Sequence, residues 1–426
     1  MIFNTWVYAA FVLLTFLIYW FVMPTKWRST WLLLASYAFF TYHFPLHTLL
    51  ILVMTLIVYW LSLPIFRYKP LHDAREKLPW TRHPKFYLTV IIIFCVGVLA
   101  YYKYLKMAIS TINELLHLVD IEKVYDIPSL IVPLGLSFFV FEFIHYAVDV
   151  YQGKAAKTNL FRFAVFIMYF PSLVSGPIKR YEPFLEQTLE MGRFKKEYLY
   201  DGLARILIGL GKKTLIADRM TPYADYLLNP AAHTTGELWI GMYAYSLKIL
   251  FDFSGYSDIA IGSAKLFGYT LPENFNWPYL QRNIAVFWNN WHMSLSSWIR
   301  DYVYIPLGGS RGTVHFAARN SLIAMLVSGL WHGAAWHFVI WGLYHGLGVA
   351  WIRYLTFWKK GRQKQKGEPL PEKNVALPWW GKLPKVSGHA FSVLLTYHFV
   401  AFGWILFYCD FATALEVVKK MIGGLL

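Results

Sequence analysis

His332 lies in the run Leu330-Trp331-His332-Gly333-Ala334-Ala335-Trp336-His337, an imidazole set in one of the most apolar stretches of the chain. Ionisable side chains are costly in such surroundings and by default mark a place where protons, ions or substrate are handled. A neutral imidazole can take a proton from a hydroxyl or thiol and return it to a leaving group, the role of a general base. The competing reading is a core histidine that donates to a backbone carbonyl. A second histidine, His292, stands in a segment from Trp277 to Gly312 that is more polar than its neighbours. There Asn289, Asn290, His292, Ser294, Ser296, Ser297, Arg300 and Asp301 are interleaved with Phe287, Trp288, Trp291, Trp298 and Tyr302. On a continuous helix Trp288, His292 and Leu295 would share one face, with Trp291, Trp298 and Asp301 near another.

These residues nominate His332 and His292 as catalytic, with Asn289, Asn290, Trp291, Ser294, Arg300, Asp301, Trp331 and Trp336 expected to line the path that substrate takes. An asparagine beside the histidine could polarise a carbonyl. His337, Trp341 and His345 follow at helical spacing on one face, His337 and His345 either as further lining or as packing side chains. An interfacial amphipathic helix would account for the aromatics of the polar segment but not for its clustered Asn, His and Arg.

Three other groupings are weaker. Glu142, His145 and Asp149 are spaced to share one helix face, where they could form a metal or proton site or a hydrogen-bonded network that pins helices; too few ligands converge for metal to be expected. In Phe251 to Asp258 the spacings of a nucleophile elbow and of a phosphate loop are both lacking, so Asp252 and Asp258 are expected to cap helices or to bond an arginine such as Arg300. Pro306, Gly308, Gly309 and Gly312 read as a turn carrying Arg311. Cys95 and Cys409 form no metal-binding pattern, and Cys95 reads as a small buried hydrophobe.

The elements that must position these groups are membrane helices. Of the 426 residues 57% are hydrophobic, 19% aromatic and only 15% charged, and mean hydropathy is +0.40, well beyond an ordinary soluble domain. Apolar segments recur near residues 5–23, 31–45, 47–65, 86–106, 129–150, 160–176, 200–216, 237–251, 319–331, 334–353 and 388–408. They predict an all-α polytopic membrane protein of about eleven transmembrane or re-entrant helices, the first a retained span rather than a signal peptide. The whole of residues 1–426 is expected to form a single integral membrane domain, without the internal repeats that mark many transporters.

A formal charge of +16 would suggest nucleic acid in a soluble protein, but here the basic residues collect in loops at 26–28, 67–85, 154–157 and 359–385. That is the positive-inside pattern, with anionic lipid rather than nucleic acid as the partner. The loops around Arg75 and Lys364 are accordingly expected in the cytosol, one short later segment being re-entrant, and residues 409–426 outside. Phe411 to Leu426 is amphipathic and is expected to lie along the membrane surface.

The sequences Trp291-His292-Met293-Ser294-Leu295-Ser296, Trp298-Ile299-Arg300-Asp301-Tyr302-Val303-Tyr304-Ile305-Pro306-Leu307-Gly308-Gly309 and Gly329-Leu330-Trp331-His332-Gly333 resemble the membrane-bound O-acyltransferases. The similarity is to the bacterial alginate O-acetyltransferase branch and, more distantly, to the teichoic-acid D-alanylation proteins. It extends upstream through Val132 to Phe139, Ser175 to Tyr181, Phe251 to Asp258 and Glu273-Asn274-Phe275. The resemblance implies helices arranged around a central tunnel, His332 as the catalytic histidine and His292 placed in the tunnel. It further implies transfer of a small acyl group, most readily acetyl from acetyl-CoA, from the cytosol to an extracytoplasmic envelope polysaccharide. An extracytoplasmic partner of the SGNH-hydrolase type would deliver the group, and no bound cofactor or metal is implied. Two alternatives stand beside it: D-alanyl transfer to teichoic acid from a carrier protein, and a proton-coupled transporter that uses the same intramembrane histidines.

Overall fold

The computed structural model describes residues 5–42, 44–74, 78–121, 124–126, 130–173, 176–190, 192–365 and 386–423, with side chains described between 5 and 359 and from 388 on. All regular structure among them is helical, as the composition led one to expect. Arg75 and most of the basic stretch 359–385 lie outside the described residues, as does the side chain of Lys364.

Two compact units are formed. The first comprises Met1–Leu215 and Phe251–Glu273, the second Ile216–Leu250 and Asn274–Leu426. The first unit carries helices α1 (Trp6–Leu17), α2 (Arg28–Thr41), α3 (Pro45–Asp73), α4 (Pro84–Leu99), α5 (Leu105–Leu118), α6 (Leu136–Gln152), α7 (Leu160–Ile167), α8 (Tyr181–Leu189) and α9 (Lys196–Gly211). Local chemistry sets several starts: Thr5 accepts from the Tyr8 N–H, Asn159 from the Arg162 N–H, and prolines open α3 and α4 where no amide hydrogen is needed.

Inside this unit the Glu142 carboxylate receives the Lys179 ammonium at 2.6 Å, both side chains buried, and Lys179 also sits 4.7 Å from the Phe166 ring. The glutamate of the Glu142, His145 and Asp149 grouping is therefore tied to a lysine from a distant loop. Asp258 takes Arg205 and Lys212 at 2.6 Å each, and Asp252 takes Lys213 at 2.8 Å. Asp258 thus bonds an arginine as expected, but it is Arg205; Arg300 bonds its neighbour Asp301 at 2.8 Å.

The second unit contains α10 (Asp218–Ala224), the first half of α11 (Thr235–Leu266), α12 (Ile284–Asn290), α13 (Met293–Ile299), α14 (Val314–His332), α15 (Trp336–Gln365), α16 (Val386–Tyr408) and α17 (Phe411–Gly423). Its core gathers Phe287, Trp288, Trp291, Trp341, Val400 and Trp404. Helices α14 and α15 form a hairpin drawn together by small residues. A Cβ on Gly342 would meet the Met325 carbonyl oxygen at 2.6 Å, and one on Gly329 would strike the Phe338 carbonyl oxygen. Close backbone approach of this kind is how helices pack where burial from lipid gives little drive.

Three described helical stretches are long and apolar enough to cross a membrane: Pro45–Asp73, Pro84–Leu118 and Gly388–Tyr408. Two shorter apolar ones occur at Trp6–Val22 and Leu160–Ser172. The all-α membrane architecture expected from composition is thus borne out. In the segment near 31–45 the helix ends at Thr41, that near 200–216 passes into a π-helical turn at Lys212–Ala217, and that near 237–251 is part of the longer helix Thr235–Leu266. Cys95 and Cys409 are buried free thiols.

Candidate active site

The polar segment around His292 does not form the continuous helix that its periodicity suggests. Helix α12, started by Asn283 accepting from the Val286 N–H, ends at Asn290. Trp291 is then extended, and His292 adopts a left-handed conformation at φ 43° before α13 begins. The break is held by Asn274. Trp291 forms an antiparallel bridge with Phe275, the Met293 N–H donates to the Asn274 carbonyl at 2.9 Å, and the Ser294 hydroxyl donates to the Asn274 side-chain oxygen at 2.7 Å. A backbone strand contact and a side-chain cap therefore replace the helical hydrogen bonds lost at this point, as buried amides require. The cost is a non-glycine residue at positive φ, and such strain gathers at functional sites.

This geometry buries His292 to 1% exposure and lays its ring against Trp331, centroids 5.6 Å apart. Trp331 in turn meets His332 at 4.7 Å, and His332 is the last residue of α14. One indole thus touches both imidazoles. His332 is bounded further by Trp341 at 5.1 Å and Phe407 at 4.9 Å, which bring α15 and α16 into the site. His332 is only partly buried, with an aromatic wall against its ring.

The other nominated residues divide. Trp291 is buried, packed on Phe287 and on Trp404 with centroids 5.5 and 4.8 Å apart. Ser294 is buried in the Asn274 clamp, and Ser297 donates to the Ser294 carbonyl at 3.0 Å. Asn290 returns its amide to the Val286 carbonyl at 2.8 Å, while Asn289, Arg300 and Trp336 are exposed and Asp301 is half-buried beside Arg300. The turn after α13 is as expected: Gly308, Gly309 and Gly312 have positive φ, and the buried Asn320 amide donates to the carbonyls of Leu307 and Gly309 at 3.0 Å.

Three neighbours of the histidines had no nominated role: Asn274, Trp341 and Phe407. Asn274 acts twenty residues away in sequence through a fold that periodicity cannot foresee. Trp341 stood at helical spacing from His337, a signal that was present but pointed to packing. For Phe407, one of 33 phenylalanines, the sequence held no signal.

Residues 36–362 match the family model described as MBOAT, membrane-bound O-acyltransferase family. A probable alginate O-acetylase of Azotobacter vinelandii is 37% identical over 356 residues, 83% of this chain and 69% of that protein. The peptidoglycan O-acetyltransferase of Helicobacter pylori is 29% identical over 92% of this chain and 73% of its own length. A teichoic acid D-alanyltransferase of Bacillus subtilis is 31% identical over 66% of this chain and 69% of its own length.

Proposed function

Because the chain belongs to the membrane-bound O-acyltransferase family and is an O-acyltransferase, we propose that it transfers an acetyl group from a cytosolic thioester, acetyl-CoA, to an extracytoplasmic envelope polysaccharide. The observation that carries this reading is the His292, Trp331 and His332 row at the end of α14, together with relatives named as O-acetylating enzymes. His332 removes the proton from the attacking hydroxyl. The oxygen then bonds the acyl carbon, the carbon–sulfur bond breaks, and the departing thiolate takes the proton back from His332 as free thiol. His292, packed against Trp331, orients the thioester. Family membership sets aside the transporter reading.

The two units act as one acyltransferase, and the route past His332 serves as a tunnel lined by Trp331, Trp336 and the segment from Asn289 to Asp301. An extracytoplasmic protein of the SGNH-hydrolase type accepts the acyl group and passes it to the polymer. The activated donor is made on one side and used on the other, and a polar passage carries the acyl group without exposing charge to lipid.

D-alanyl transfer from a carrier protein is the second reading, favoured by the similarity to the teichoic acid enzyme. The two separate cleanly: membranes containing the full chain are given labelled acetyl-CoA or a D-alanyl-loaded carrier protein, and acyl incorporation into polymer is measured. Incorporation of acetate alone supports the proposal, and incorporation of D-alanine alone overturns it.

A further inference from the structure

Near His332, three rings in mutual contact carry four buried hydrogen-bonding atoms without a protein partner. They are the two ring nitrogens of His345 and the indole nitrogens of Trp288 and Trp341. His345 and Trp341 are fully buried and Trp288 nearly so. The three rings touch one another: Trp288 to Trp341 at 5.5 Å, Trp288 to His345 at 5.2 Å and Trp341 to His345 at 4.8 Å between centroids. They come from α12 and α15 and are walled by Phe399 and Trp404 of α16.

Leaving one buried donor or acceptor unmet costs about 1–3 kcal/mol. Native proteins leave few such groups, and each one calls for an explanation. Here four of them belong to three rings in mutual contact, one ring's remove from the proposed base. The sequence also makes way for the imidazole, since a Cβ on Gly403 would lie 2.5 Å from His345 Nε2. Two indole N–H donors and an imidazole, which donates from one nitrogen in its neutral form, make a set rich in donors. Such a set fits a compact oxygen acceptor in apolar surroundings: the carbonyl of a thioester, whose oxygen gains negative charge as the hydroxyl attacks.

We propose that Trp288, Trp341 and His345 form the seat of the acyl carbonyl, binding the acyl group of the donor beside His332. This deepens the acyl-transfer reading and rests on it.

The test compares binding of acetyl-CoA and of S-ethyl-CoA, a thioether of similar shape that lacks the carbonyl, to the purified full-length chain. The wild type should bind acetyl-CoA the more tightly. Trp341→Phe and Trp288→Phe, which delete the N–H but keep an aromatic ring, should each erode that preference by up to about tenfold while binding of S-ethyl-CoA holds, as expected for loss of one hydrogen bond. His345→Gln, which retains a donor and an acceptor, should keep more of the preference than His345→Leu. Variants are compared at matched thermal stability, with Gly403→Ala as a further probe that crowds His345 without removing a polar atom. A wild type that binds the two compounds equally, or binds neither, overturns the proposal. So does a preference unchanged in the folded Phe variants, which would leave the cluster to a structural water. Failure of the acyl-transfer reading itself is distinguishable, because it shows as unchanged turnover on loss of His332.

Discussion

His292 holds a backbone conformation that few side chains accept, and its chemistry and its geometry can be separated by substitution. Asparagine tolerates the left-handed region while a β-branched residue does not. His292→Asn should therefore fold with a melting temperature close to wild type and lose turnover. His292→Val should lose turnover and also about 1–2 kcal/mol of stability; thermal unfolding in detergent alongside acyl transfer reads both. Equal stability of the two variants would remove strain from the account. His292 and His332 were legible in the sequence because histidine is costly in an apolar setting and both sat in unusual company. The hand that holds His292 was not. Asn274 reaches Ser294 across a chain reversal, and the local pattern instead favoured an unbroken helix through Trp291.

The hairpin of α14 and α15 delivers His332 to Trp341, and its closeness depends on glycine. Adding a methyl group at Gly342 would force the Met325 carbonyl away, so Gly342→Ala should cost about 1–3 kcal/mol, as overpacking does, and should lower turnover with it. Gly97 in α4 is the contrast: a Cβ there meets nothing within 4 Å. Gly97→Ala should be neutral or stabilising by up to about 1 kcal/mol through helix propensity. Thermal unfolding of the two variants decides the matter, and similar losses in both would show that the hairpin contact is not special. Helix starts rest on local chemistry at residues such as Pro45, Pro84, Asn283 and Thr313. Helix ends rest on it less. The closure of α12 at Asn290 and the π-helical turn at Arg300–Tyr304 answer to tertiary contacts that no local window contains.

At the scale of the whole molecule, composition announced a helical membrane protein, and every described element of regular structure is a helix. Charge gives the orientation its own test. The basic loop at Lys154 to Lys157 should face the cytosol, so a single cysteine at Lys154, in a background without Cys95 and Cys409, should resist an impermeant thiol reagent added to intact cells; labelling from outside would reverse the assigned direction of transfer. That direction matters because the account joins a cytosolic thioester to an external polymer through His332. The most direct measurement uses inverted membrane vesicles supplied with labelled acetyl-CoA on their exposed cytosolic face, followed by recovery of label from polymer within the lumen. Wild-type protein should deposit label, and His332→Ala, present in equal amount and equally stable, should deposit at least about a hundredfold less, the low end of what a general base contributes. Deposition by His332→Ala at the wild-type rate would contradict the account.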